Sequence, residues 1–428
     1  MKAVIIAGGK GTRLASVTGN VIPKPMVELC GKPILLNIVE RLKENGIFEI
    51  YITVGYLHEV IMDYFKDGKE FGVKIEYVIE NAELGTGGAL FFLKDKISEP
   101  FVICYADTIF DIDISRMFRF HKQKNADFTL MCKPNNHPYD SDLVLADRNS
   151  KVTGLVLKNT SRHDYRNVVN SGLYIANPSV FYFFKEPVKL AIDRDLIPAL
   201  VRDGKNVFAY YTSEYMKDVG TPDRLLQGEE ELKSGLVHAK NLKNKQKAVF
   251  LDRDGVLNVY KGYITHPDQL ELYPGVIDAI KKINKSEYLA IVITNQPVLA
   301  RGDCSQETLD AIFRKLDTEL GNQGAFLNKV YYCPHHPDKG FSGEVPALKI
   351  ECSCRKPRTG MIKQACFDFN LDLSSCVMIG DDNRDLEMAQ NAKIPAIFVE
   401  SEAGTVPKFP VVSRAENLLQ AINWFLKD

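Results

Sequence analysis

Short apolar runs ending in glycine, aspartate or asparagine alternate with amphipathic stretches along most of this chain, and the alternation starts afresh once. Ala3–Ala7, Ile50–Val54, Val73–Ile79 and Phe101–Tyr105 read as strands, and Ile34–Asn45 as an amphipathic helix stopped by Gly46. Glu229–Lys247 then breaks the pattern, being polar and lysine-rich with almost no apolar periodicity. Lys233–Lys247 reads as a linker, its first residues alternatively as a solvated helix end. From Ala248 the pattern resumes with strands at Ala248–Leu251, Leu289–Ile293, Lys329–Tyr332, Val377–Ile379 and Ala396–Val399. Helices are expected at Val276–Ile283, Gln306–Leu320 and near Ala415–Leu426. Strand–helix alternation predicts parallel sheets covered by helices on both faces, hence an α/β chain of two doubly wound domains, 1–232 and 248–428, joined by 233–247. Ligands in such sheets bind beyond the carboxyl ends of the strands, so the residues that follow each apolar run are the ones to read for function.

Composition narrows the classes. A chain of 428 residues is long enough for two cores, and 45% hydrophobic with 25% charged residues is ordinary for a soluble globular protein. A net charge of −1 gives nucleic acid or an anionic membrane no electrostatic hold. The opening MKAVIIAGG is too short for a signal-peptide core, and no apolar run approaches the ~20 residues of a membrane span. Nine cysteines, an odd number without regular spacing in the first half, predict a reducing cytoplasm rather than a disulfide framework. Oligomeric state has no signature here.

After the first strand comes Gly8-Gly9-Lys10-Gly11-Thr12-Arg13-Leu14. Glycines let backbone N–H groups approach phosphate oxygens, and Arg13 adds a fork of donors suited to a triphosphate. Lys24 follows, fixed between Pro23 and Pro25. Taken alone, the glycine turn is equally a tight turn and the lysine a surface residue. Together, in order, they resemble the sugar-1-phosphate nucleotidyltransferase family over about residues 1–230. The resemblance implies that Gly8, Gly9, Gly11, Thr12, Arg13 and Lys24 hold the nucleotide, with Arg13 and Lys24 catalytic, and that Gly85 and Thr86 in the loop Glu83–Gly88 contact the base. It further implies that Asp107 and Asp218 carry Mg2+ and that Lys158 and Asn170 contact the sugar phosphate. The chemistry is consistent: joining two polyanions calls for a divalent cation and basic side chains to stabilise charge at the α-phosphorus, and no covalent nucleophile. One departure stands out. The family's usual Glu-Lys-Pro is Leu157-Lys158-Asn159 here, so an acceptor for a sugar hydroxyl is missing.

In the second half, Asp252-Arg-Asp254-Gly follows a strand. Extended positions two apart face the same way at about 7 Å, where two carboxylates repel by about 2 kcal/mol at an effective dielectric near 20. The pair invites a divalent cation or a shared proton; an exposed turn is the bland alternative. Thr294-Asn-Gln296, Arg355-Lys356-Pro357 and Gly380-Asp381-Asp382…Asp385 follow, and the set resembles the haloacid dehalogenase superfamily. That implies Asp252 as nucleophile, Asp254 as acid and base, and Thr294, Asn295, Gln296, Arg355 and Lys356 around the substrate. Mg2+ would lie on Asp252, Asp381 and the Asp254 backbone carbonyl. Between these motifs, Cys333-Pro-His335 and Cys352-Ser-Cys354 supply four ligands suited to tetrahedral, structural Zn2+, with His336 as a rival to His335. The intervening segment has little to pack, and zinc binding of order 10 kcal/mol would order it.

The zinc segment is similar to that of histidinol-phosphate phosphatases and of heptose 1,7-bisphosphate 7-phosphatases, and Gly262–Gly275 with Ala300-Arg-Gly302 favours the latter. Two departures are visible: Asn295-Gln-Pro-Val298 replaces the usual Asn-Gln-Ser-Gly, and Asp382 stands where a lysine is usual. In the first half, Gly55–Glu59 and Glu83–Ala89 resemble the heptose 1-phosphate guanylyltransferases. The two resemblances meet at heptose 1-phosphate, which implies a bifunctional enzyme taking GTP and heptose phosphates to GDP-heptose for a cell-surface glycan. Two other readings stay open at this point: the same chemistries on mannose or an amino sugar, and one half acting as a silent binding or oligomerisation module.

Overall fold

Ala3–Ala7 is buried along its whole length, as a strand covered on both faces must be. The computed structural model describes residues 1–9, 14–19 and 21–427. The chain divides into two compact units: Met1–Lys133 with Asp142–Lys158 and Val169–Asn241, and Pro134–Ser141 with Asn159–Val168 and Leu242–Asp428.

In the first unit, Ala3–Ala7 lies between Glu49–Val54 and Phe101–Tyr105, parallel to both, and Lys74–Ile79 extends the parallel set. The helix Ile34–Glu44 buries Ile34, Leu35, Ile38, Val39 and Leu42, and Gly46 at φ 76° turns the chain back toward Glu49–Val54. Beyond Phe101–Tyr105 the expected all-parallel sheet gives way to a mixed one. Val169–Ala176 runs antiparallel to Phe101–Tyr105 and to Phe128–Lys133, and Leu143–Ala146 pairs with Val152–Val156 as a hairpin. The reason is the connection: Asp147 Oδ1 accepts from Asn149 and Lys151 N–H, closing a tight turn where a helical crossover would be needed for parallel pairing. A separate two-stranded ribbon, Thr108–Asp111 with Tyr215–Asp218, stands off this sheet.

The second unit has a six-stranded sheet, parallel throughout, ordered Lys329–Cys333, Tyr288–Asn295, Lys247–Leu251, Val377–Gly380, Ala396–Val399, Ser413–Ala415. Strand order reverses between Lys247–Leu251 and Val377–Gly380, which opens a crevice at their carboxyl ends. Ala415 belongs to the last strand rather than to the terminal helix. Asn417 accepts from Gln420 N–H as N-cap, so the helix begins at Leu418 and ends at Phe425. The expected linker does not run free. The helix Pro222–Lys233 is followed by a short helix Leu236–Ala239, Val237 and Leu242 are buried, and His238 and Asn241 bond the Asp111 carboxylate at 2.9 and 2.5 Å.

Candidate active sites

Three neighbouring strands of the second unit deliver their terminal residues to the crevice: Asp252 after Lys247–Leu251, Thr294 within Tyr288–Asn295, and Asp381 after Val377–Gly380. Asp252, Asp381 and Asp385, all buried, bring one carboxylate oxygen each within 4.8 Å of one another. Lys356 sits among them, its Nζ 2.7 Å from Asp252 Oδ1 and 2.6 Å from Asp385 Oδ1, and donates to Ile293 O at 3.1 Å. Burial alone would lower the Lys356 pKa, but the two carboxylates outweigh it and raise it. For the acids the effects add: burial, then Asp252, pushes Asp381 up to about 7 and Asp385 well above the carboxylate range. Three buried carboxylates meet only one lysine, so a cation added there would favour their ionised forms. An all-oxygen donor set of this kind suits Mg2+, which supplies charge stabilisation at a phosphoryl group.

The surrounding residues fix this geometry. Ser401 Oγ donates to Asp381 Oδ2 at 2.6 Å. Gly255 has φ 83°, and a Cβ there would lie 2.0 Å from Asp381 Oδ2, so no other residue fits after Asp254. Asn295 accepts from Lys356 N–H at 3.0 Å and donates to Lys356 O at 3.2 Å, holding the lysine loop. Asp254 is engaged elsewhere: its carboxylate accepts from Arg253, Asn258 and Gln296. Ser401 and Arg253 are members that sequence reading did not single out, and Asp385 was named in the last motif without a role. Asp385 had a visible signal, since Asp382 and Asp385 form the capping box of the helix Asn383–Ala392.

Cys333, His335, Cys352 and Cys354 converge as read from their spacing. The Sγ–Sγ separations are 3.2, 3.4 and 3.6 Å, and His335 Nδ1 lies 3.3 Å from Cys354 Sγ. Four ligands at about 2.3 Å from a tetrahedral Zn2+ stand roughly 3.8 Å apart, so the donor set and spacing fit that ion closed on all sides, a structural site. His336 is outside the group, edge-on to Phe341, with its Nδ1 accepting from Asp338 N–H. Arg355, next to Cys354, donates to His335 O at 3.1 Å and so belongs to this loop as well as to the approach to Lys356.

In the first unit Gly8 and Gly9 follow the first strand, while Gly11, Thr12 and Arg13 lie outside the described residues. A Cβ on Gly8 would lie 2.3 Å from Glu80 Oε1, and one on Gly55 would lie 2.8 Å from Gly8 O, so the turn packs at backbone distance. Lys24 is buried and ion-paired with Asp107. The ribbon sets Asp218 opposite Thr108, and Val219 N–H donates to Asp107 O at 2.9 Å, so the two aspartates emerge side by side. Arg224 Nη1 lies 2.7 Å from both Asp218 oxygens. Burial alone would raise the Asp218 pKa; Arg224 outweighs it and holds the carboxyl low. Two adjacent carboxylates beside a glycine turn fit Mg2+ in the way it is usually bound, by one or two protein carboxylates with phosphates and water completing the shell.

The loop carrying Gly85 and Thr86 packs on a neighbouring segment: Gly87 N–H donates to Leu190 O at 2.8 Å and Thr86 Oγ1 accepts from Ile192 N–H at 3.0 Å. Asn170 Nδ2 donates to Tyr174 OH at 3.0 Å. Lys158 is exposed, its N–H bonded to Asp142 Oδ1 at 2.8 Å, and Asp142 in turn hydrogen-bonds Asp193. Arg224, Asp142 and Asp193 escaped sequence reading, because a charged residue outside a glycine or strand-end motif carries no local signal.

Comparison with known proteins gives a family for each half. Residues 2–235 match the family model for nucleotidyl transferases, and residues 353–412 match a HAD-hydrolase-like model. A D-glycero-alpha-D-manno-heptose 1-phosphate guanylyltransferase of Aneurinibacillus thermoaerophilus is 34% identical over 54% of this chain and 98% of its own. A D-glycero-beta-D-manno-heptose-1,7-bisphosphate 7-phosphatase of Haemophilus influenzae is 38% identical over 35% of this chain and 78% of its own. A rice protein described as probable mannose-1-phosphate guanylyltransferase 2 is 32% identical over 53% of this chain, which spans 63% of that relative's length. Among the described residues no helix is long and apolar enough to cross a membrane. The chain thus belongs to the nucleotidyl transferase family through residues 2–235 and, through its second half, to the HAD-like phosphatases that include the heptose bisphosphate 7-phosphatases.

Proposed function

We propose that the two halves act in succession on one sugar: residues 248–428 remove the 7-phosphate of heptose 1,7-bisphosphate, and residues 1–232 transfer GMP from GTP to the resulting heptose 1-phosphate. The observation that carries this reading is the pairing on one chain of two sites whose relatives meet at that intermediate.

In the phosphatase step an Asp252 oxygen attacks the 7-phosphorus while Thr294 and Lys356 hold the phosphoryl oxygens. The bond from phosphorus to the sugar oxygen breaks, and Asp254 gives that oxygen a proton. Water then attacks the aspartyl-phosphate as Asp254 takes its proton back, which releases phosphate and restores Asp252. Asp252, Asp381 and the Asp254 carbonyl would hold Mg2+, with Asp385 now a further candidate. In the transfer step an oxygen of the sugar 1-phosphate attacks the α-phosphorus and the bond to the β-phosphate oxygen breaks. Lys24 and Arg13 oppose the charge that builds there, Asp107 and Asp218 would hold Mg2+, and pyrophosphate leaves. Cys333, His335, Cys352 and Cys354 would hold Zn2+, which would keep the phosphatase loop folded and supply no chemistry to either step.

The anomer is divided between the relatives, alpha for the transferase and beta for the phosphatases. We assign α, because the last enzyme of the sequence fixes the product. The free cysteines support a reducing cytoplasm as the place of work, with small molecules as partners. A second reading, mannose 1-phosphate as the acceptor of GMP, is favoured by the rice relative. One coupled assay separates them: heptose 1,7-bisphosphate in each anomeric form, followed by phosphorus NMR with each NTP in turn. GDP-heptose formed from the α anomer with GTP supports the proposal. Release of the 1-phosphate, or faster transfer to mannose 1-phosphate, sinks it.

A further inference from the structure

Arg253 lies between the two aspartates of the phosphatase motif, where an extended strand would point it away from both. Instead its guanidinium folds back onto its neighbour: Nη2 lies 2.8 Å from each Asp254 oxygen and Nε 3.1 Å from Oδ1. Among the described residues it is the bulkiest side chain that is fully buried, at 0% exposure, with the Phe313 ring 5.8 Å away. A buried cation persists only beside an anion that repays its lost hydration, and Asp254 is that anion. Two more buried donors meet the same carboxylate. Asn258 Nδ2 reaches Oδ1 at 3.1 Å, and Gln296 Nε2 reaches Oδ2 at 3.0 Å. Gln296 Nε2 also donates to Thr294 Oγ1 at 2.9 Å. Arg253, Asn258, Thr294 and Gln296 are each at most 2% exposed.

On the phosphatase reading given above, we infer that Arg253 and Gln296 are the positioning residues of the acid–base step. They fix the Asp254 carboxylate, and Gln296 ties it to the hydroxyl that holds the phosphoryl group. The loading of the two oxygens is unequal. Oδ1 accepts from Arg253 Nε, Arg253 Nη2 and Asn258, whereas Oδ2 accepts from Arg253 Nη2 and Gln296. Oδ2 carries the fewer donors, two against three, and we assign to it the proton that passes to the leaving sugar oxygen and is later taken back from water, with one of its two donors giving way. Through Thr294, a phosphoryl group settling on that hydroxyl and the proton donor for its leaving group are held in one chain of hydrogen bonds.

The test separates proton delivery from folding by the leaving group. A sugar alkoxide needs the proton, whereas p-nitrophenolate leaves without it. In the full-length protein, Gln296→Met and Arg253→Lys should lower kcat on heptose 1,7-bisphosphate by about 100-fold or more with KM within about threefold, the range of a lost general acid. The first turnover of p-nitrophenyl phosphate should stay within about threefold of the unsubstituted protein, with aspartyl-phosphate then accumulating because the second step lacks its base. Equal losses on both substrates in the first turnover, or no loss on either, would overturn the inference. If the arginine variant does not fold, Gln296→Met, judged by an unchanged melting curve, decides alone. An unsubstituted protein that hydrolyses neither compound sinks the phosphatase reading itself, and this inference with it.

Discussion

In the second unit Lys356 lies between Asp252 and Asp385 in a buried group, while in the first unit Lys24 and Arg224 pair with Asp107 and Asp218, whose side chains are 30% and 36% exposed. Both sites gather carboxylates at strand ends, yet one keeps its charges dry and the other leaves them half open. The chemistry explains the difference. On the proposed phosphatase step a carboxylate that attacks phosphorus is a weak nucleophile in water, so Asp252 would need a preorganised pocket with its counter-charge in place. Nucleotidyl transfer needs no protein nucleophile, and its substrates bring both the negative charge and, as a metal complex, much of its neutralisation. For that proposed step an open pair of aspartates able to exchange Lys24 and Arg224 for a cation would be sufficient.

The largest test of that contrast is to remove one charge from each site. Asp252→Asn should abolish phosphate release, by about a thousandfold or more, as loss of a covalent nucleophile does, and leave nucleotidyl transfer within a few-fold. Asp107→Ala should do the reverse, with the two activities followed separately as released phosphate and released pyrophosphate. Either variant disabling both activities in a folded protein would break the picture of two independent sites.

Metal content gives the next largest effect. About one zinc per chain is expected by elemental analysis, and Cys352→Ser with Cys354→Ser should remove it. Phosphatase activity and the stability of that unit should fall, since on the zinc reading the loop 334–351 would owe its order to the ion, while transferase activity persists. Metal-free protein with full phosphatase activity would remove the claim.

Legibility in the sequence follows the same division between local and distant causes. The glycine turn after Ala7, the aspartates after Leu251 and Gly380, and the paired cysteines could be read because the constraint lies within a few residues: a strand end, a positive φ, a two-residue ligand spacing. What escaped was set by residues far apart. Arg224 on Asp218 depends on a helix meeting a ribbon, and Gln296 on Asp254 on two parallel strands in register. The antiparallel half of the first sheet escaped for a similar cause. The direction of its hairpin Leu143–Ala146 with Val152–Val156 is set by the turn at Asp147–Ser150, not by the apolar pattern of the strands, which is alike for either pairing. Arg253 could not be read because alternation points it outward, whereas its guanidinium turns back onto the partly exposed Asp254.

Asp382 offers a smaller and more local test. It stands where a lysine is usual in the family, and the structure gives it a structural duty: it caps the helix Asn383–Ala392, accepting from Arg384 N–H at 2.8 Å, while its carboxylate also pairs with the Arg384 side chain. Asp382→Ala should cost about 1 kcal/mol of stability in the second unit, the usual loss of a cap, read as a lowered denaturation midpoint. Asp382→Lys should cost at least as much, and a gain in stability would show that the cap contributes nothing. Transferase activity should not respond to either.

The smallest expected effect concerns acid and falls on the first unit. His121 is buried, its ring nitrogens 2.8 Å from Thr129 Oγ1 and 3.2 Å from Asn177 Oδ1. Burial holds its pKa below the ordinary 6.5, so the folded state keeps the imidazole neutral where the unfolded chain would protonate it. The sign follows from linkage: as pH falls below about 6.5 the unfolded state takes up the proton first, and folding stability drops until the lower, folded-state pKa is passed. One such group imposes a slope of at most about 1.4 kcal/mol per pH unit over that window. His121→Gln, which can keep a hydrogen bond without a titrating group, should remove this acid limb from the melting of the first unit. The melting of the second unit should be unchanged by it, and a limb that survives the substitution would assign the acid sensitivity to some other group.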